Sequence, residues 1–127
     1  MVERWGVFNI CMIKMKPRPA GFNLLDGCDI TEPKVKALAT AATGAWDAIL
    51  KMDLHAFSRF FQASFEAQVS MFPQMIANGV PAYIDQWKDK ALAWKMPGAG
   101  VGGYQVLEYY KIPEGTMPIK IRRKHWM

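Results

Sequence analysis

The run Lys95-Met96-Pro97-Gly98-Ala99-Gly100-Val101-Gly102-Gly103-Tyr104 places four glycines within six positions, directly before an apolar segment. Glycine lets a chain adopt φ > 0 and lets a ligand approach the backbone closely. Successive amide N–H groups in such a turn can converge on an anion, which makes Gly98, Ala99, Gly100, Gly102 and Gly103 candidates for holding phosphate. The other reading of the same residues is a wide hairpin turn joining strands at 93–96 and 104–110. No Gly-Lys-Ser/Thr closes the run, so it is not a P-loop. A strand rather than a helix follows, so it is not a dinucleotide fingerprint.

A second candidate for anion contact is Arg18, fixed between Pro17 and Pro19. Proline stiffens the backbone on either side of the guanidinium. The alternative for Arg18 is an ordinary surface position. The formal net charge is +5. Much of the excess lies in Lys14, Lys16 and Arg18 and in Lys120, Arg122, Arg123 and Lys124. Such clusters attract phosphorylated metabolites or nucleic acid. No zinc-finger, helix-turn-helix or RNA-binding signature accompanies them, so nucleic acid is the weakest of the partner classes. The two cysteines, Cys11 and Cys28, and the two histidines, His55 and His125, match no metal-ligand spacing, so no metal is expected.

These residues need a scaffold. Gly6 to Lys14 is apolar at both parities and reads as a strand buried on two faces. Residues 16–27 are broken by prolines and glycines and read as a loop. Asp29 to Glu32 offers caps, and Pro33 suits a first helical turn. Val35, Leu38, Ala39, Ala42, Trp46, Ile49 and Leu50 then recur with helical period and predict the buried stripe of a first helix. Asp53 predicts the N-cap of a second, whose stripe is Phe57, Phe60, Phe61, Ser64, Phe65, Gln68 and Phe72. Ser64 and Gln68 share that apolar face, so each requires a hydrogen-bond partner if buried. Glu66 lies off it and reads as solvated. Pro73 interrupts the helix, and 78–81 is a turn. A third helix is expected over 83–92, then strands at 93–96, 104–110 and 117–122.

With 127 residues the chain suffices for one domain and one modest core, taken as 1–127. Half of the residues are hydrophobic and 13% aromatic, which predicts a folded chain. No apolar run approaches the ~20 residues of a membrane span, and Met1-Val2-Glu3-Arg4-Trp5 lacks a signal-peptide layout. These features predict a cytoplasmic chain with no membrane partner. The order strand, helices, three strands predicts an α+β fold with helices on one face of an antiparallel sheet of about four strands.

The string from Trp94 to Tyr104 resembles the third motif of the GHMP small-molecule kinases, which include galactokinase, homoserine kinase and mevalonate kinase. That motif usually reads Lys-Leu-Ser/Thr-Gly-Ala-Gly-Gly-Gly-Gly. Pro17-Arg18-Pro19, Ala63 to Gln68 with Met71-Phe72-Pro73, and Pro118 to Arg123 are similar to the sugar-kinase branch, of the fucokinase and heptose-phosphate kinase type. The likeness runs in order from about Trp5 to Arg123. It implies a ferredoxin-like C-terminal domain, with the glycine loop beside the transferred phosphate and the substrate. Two positions depart from the motif. Pro97 stands where Ser or Thr is usual and removes an amide donor. Val101 stands where glycine is usual and resists φ > 0.

Phosphoryl transfer also needs a nucleotide cradle, a metal and a positioned nucleophile. In that family the main cradle, Pro-x-x-x-Gly-Leu-Gly-Ser-Ser-Ala, and the catalytic aspartate where there is one belong to the N-terminal domain. No stretch here matches either, so no catalytic residue is assigned. The resemblance therefore implies the C-terminal part, or a truncated relative, of an ATP-dependent sugar kinase. ATP and Mg would belong to the intact enzyme, the partner would be an N-terminal kinase domain, and the chain alone would be inactive. The alternatives are a non-catalytic module that forms a homo-oligomer through an exposed sheet edge or aromatic patch, and, on its charge alone, a nucleic-acid binder.

Overall fold

The computed structural model describes residues 10–15, 20–76, 80–96, 104–108 and 117–118. In chain order these form β1 (Ile10–Lys14), α1 (Glu32–Leu50), α2 (Leu54–Met71), a 3-10 turn (Pro73–Ile76), α3 (Val80–Trp87), β2 (Ala93–Lys95), β3 (Tyr104–Glu108) and β4 (Met117–Pro118).

Helix α1 starts where Thr31 Oγ1 accepts the amide of Lys34, with proline in the first turn. It stops in a Schellman turn. The amide of Asp53 donates to the Ala48 carbonyl at 2.9 Å and that of Met52 to Ile49 at 3.0 Å. The left-handed position falls on Met52, at φ 52°, where glycine is the usual occupant. Asp53 also opens α2, its carboxylate accepting the amide of Ala56 at 3.1 Å. One residue thus ends one helix and begins the next, which folds α1 back along α2.

The two helices approach closely at Gly44. A Cβ built there would stand 2.4 Å from the Phe60 ring. At the other end of α1, the Lys34 ammonium donates to Asp29 at 2.6 Å and to the Ser70 carbonyl at 3.0 Å. The amide of Asp29 donates to the Met71 carbonyl at 2.8 Å. Together they satisfy the last carbonyls of α2, which would otherwise lack partners. The chain ahead of α1 is thereby tied to the end of α2.

Phe57 and Phe65 are buried on α2, each at 4% exposure, and burial of each contributes roughly 1.5–3 kcal/mol. Phe65 joins Met15, Met75, Val80 and Met96 in the main core. Cys11 is buried beside Ile13, Trp87, Ala91 and Trp94. The strands pair antiparallel in the order β2-β3-β1-β4. Among the described residues no helix is long and apolar enough to cross a membrane.

The architecture corrects the expected one. The chain is mostly helical among the described residues, with helices of 19, 18 and 8 residues against strands of 5, 3, 5 and 2. It is not a ferredoxin-like domain whose helices share one face of a sheet. Helix α1 packs chiefly on α2, and it is α2 that meets β2. The apolar stripe assigned to the core of α1 is also mostly on the wrong side. Val35, Ala39, Ala42, Trp46 and Leu50 are exposed, while Ala41 and Ala48 are buried against α2. The fully buried positions of α1 are small residues, in keeping with the close approach of the two helices at Gly44, while Leu38 and Ile49 of the expected stripe are half-buried. The expected third helix begins earlier, at Val80, and ends at Trp87. Residues 6–9, 109–110 and 119–122 of the expected strands, and positions 78–79 of the expected turn, lie outside the described residues.

Gly44→Ala should cost about 1–3 kcal/mol in urea unfolding because the new methyl meets the Phe60 ring. In a Phe60→Ala background the same change should instead stabilise, by up to about 1 kcal/mol, through helix propensity. Met52→Gly should raise the unfolding midpoint, since it relieves a left-handed residue costing about 1 kcal/mol and removes a side chain already 42% exposed.

Candidate functional site

Strand β2 is stitched to α2 by polar groups set within the apolar face of that helix. The amide of Trp94 donates to Gln62 Oε1 at 3.2 Å. The next residue, Lys95, sends its ammonium back to the same helix. Its Nζ donates to Ser64 Oγ at 3.4 Å and to Gln68 Oε1. Ser64 Oγ in turn donates to the Phe61 carbonyl at 2.7 Å. Ser64 and Gln68 lie one helical turn apart, so both reach one ammonium. The partner that the sequence demanded for this pair is Lys95.

Lys95 is half-buried, and its two acceptors are uncharged. No carboxylate forms an ion pair with it among the described residues, where Lys34 pairs with Asp29 and Lys88 with Asp85. Burial is what pushes its pKa below the ordinary 10.5. A partly desolvated cation held by neutral groups has unspent attraction for an anion. The carboxylate of Glu66, on the same helix, is exposed, as its place off the phenylalanine face implied. A shallow hollow of about 380 Å³ lies elsewhere on α2, lined by Gln62, Phe65, Val69, Ile76 and Ile84 among others. Its walls are mostly apolar and it offers an anion no cation.

Lys95 is also the last residue of β2, with Val106 of β3 as its partner in the ladder. The glycine-rich segment therefore joins two antiparallel strands, the arrangement that its hairpin reading requires. Gly98, Ala99, Gly100, Gly102 and Gly103 themselves lie outside the described residues, as does Arg18. Sequence reasoning treated Lys95 only as the first letter of the loop motif. The signal that could have found it was a lysine amid Ala93, Trp94 and Met96, in a strand otherwise apolar. No group of three or more potential metal ligands occurs among the described residues.

The sign of the pH effect follows from the lowered pKa. Between the folded value and 10.5 the unfolded chain binds more protons at Lys95, so stability rises with pH across that window. Below the window the fold carries the full cost of the half-buried charge. Urea midpoints of the wild type and Lys95→Met, compared from neutral pH to 10.5, should show the wild type gaining relative to the variant. A constant difference would mean that Lys95 titrates as in the unfolded chain.

No protein-family model matches this chain, and no curated protein is significantly similar to it.

Proposed function

We propose that this chain forms one wall of a phosphate-binding site, as the C-terminal part or a truncated relative of a sugar kinase of the GHMP type. Lys95 would meet the phosphate with charge, and the amides of Gly98, Ala99, Gly100, Gly102 and Gly103 would meet it with hydrogen bonds, with Arg18 as a further candidate. The observation that carries this reading is Lys95 itself. It is the last residue of β2, and its half-buried ammonium is held by Ser64 and Gln68 without being neutralised by either. The proposal does not lean on a ferredoxin-like domain, which the helical architecture replaces. ATP and Mg would bind in the intact enzyme, through an N-terminal kinase domain that supplies the missing cradle and base. Alone, the chain would bind phosphorylated ligand and transfer nothing.

Trp94 adjoins Lys95 and is half-buried, so its fluorescence reports on the site. Titration with inorganic phosphate and with hexose phosphates should give a saturable change, lost as salt is raised. Lys95→Met should bind about tenfold more weakly, the scale of one charge-assisted hydrogen bond. The absence of any saturable change, or equal affinity in the variant, would overturn the reading. Turnover of ATP with a free sugar by this chain would overturn the division of labour.

A further inference from the structure

Helix α1 is apolar on two opposite faces. One is closed against α2 through Ala41 and Ala48. The other carries Val35, Ala39, Ala42, Trp46 and Leu50, spaced four, three, four and four positions apart, all exposed. Trp46 is 59% exposed, Leu50 55% and Val35 47%. A helix that is apolar all round belongs in an interior, and contiguous exposed apolar patches of this kind mark interaction surfaces.

The polar flank of the stripe says what fits it. Lys36 and Asp47 lie on the same side of the stripe, about three turns apart, at equal distances from the midpoint between Ala41 and Ala42. Neither forms an ion pair among the described residues. A two-fold axis through that midpoint, perpendicular to the helix, reverses the helix and keeps each flank on its own side. It sets Lys36 of one copy beside Asp47 of the other, twice. A parallel arrangement of the two helices would not bring these residues together. Ala39 and Ala42 lie near the axis and leave room for two backbones to approach. The large side chains, Val35 at one end and Trp46 and Leu50 at the other, cover one another across it. We infer that this face binds a second copy of the same chain, as an antiparallel α1–α1 pair with Lys36 and Asp47 fixing its register.

The inference is independent of the phosphate site, since Lys95, Ser64 and Gln68 belong to β2 and α2 and the stripe belongs to the exposed face of α1. Sedimentation velocity of the full chain over a dilution series should show a monomer–dimer equilibrium. Trp46→Glu should raise the dimer dissociation constant by about tenfold or more, as for a buried anchor at an interface. Its circular dichroism and phosphate titration should be those of the wild type, since the side chain is exposed in the monomer. Lys36→Asp and Asp47→Lys should each weaken association, and the double exchange should restore it; added salt should weaken the wild-type and double-variant dimers and strengthen those of the single variants. A chain that stays monomeric at every concentration would overturn the inference. So would a dimer that is indifferent to Trp46→Glu, or charge reversals whose effects simply add.

Discussion

The phenylalanine face of α2 has to leave water, and one small helix cannot shield it alone. Phe57 and Phe65 are nearly fully covered, and Phe57 and Phe61 pack with ring centroids 5.4 Å apart. The cover comes from two directions. Helix α1 closes one side, and it can do so only because Gly44 leaves space for the Phe60 ring. Strand β2 closes another, held through Gln62, Ser64 and Gln68. The α1–α2 hairpin is fixed at both ends by hydrogen bonds that helix termini require in any case. At one end Asp53 serves as the last group of one helix turn and the cap of the next. At the other, Lys34 and the amide of Asp29 satisfy the carbonyls that end α2. Capping, which is usually a local matter, here sets the tertiary arrangement.

The same closure creates the electrostatics of the candidate site. Docking β2 on α2 takes the Lys95 ammonium partly out of water, and this removes hydration that its neutral acceptors only partly replace. Hydrogen bonds to Ser64 and Gln68 fix its direction but add no opposite charge, so desolvation governs and the pKa falls. An arriving anion would supply the missing charge at a cation already oriented, so less side-chain freedom is lost on binding.

Much of the local structure was legible in the sequence, because it rests on residues within one or two turns of each other. Asp53 as a cap, proline in the first turn of α1, the break at Pro73 and the cores of the strands follow from propensity and short-range bonding. The architecture was not legible, because it depends on which apolar face meets which neighbour. Periodicity identified a stripe on α1 through Val35 and Trp46. It could not reveal that Ala41 and Ala48 make the inward face, since alanine adds little to an apolar pattern. Gly44 looked like one more small residue, and its meaning lies in a ring sixteen positions away. The need of Ser64 and Gln68 for a partner was readable. That the partner would come from a strand some thirty residues on depends on how α2 docks.

The pairing of β2 with β3 bears on the glycine-rich segment. Trp94 is in register with Leu107 and Lys95 with Val106, so the segment between Lys95 and Tyr104 is closed at its base by a ladder. A loop with its ends held has already lost part of the freedom that binding would otherwise remove. Pro97 lowers that freedom further by fixing one φ, and Val101 narrows the backbone conformations at its own position. Pro97 and Val101, where the sequence departs from the motif it resembles, thus have a double effect. They take away one amide donor and one glycine, and each restricts the backbone angles open to its own residue.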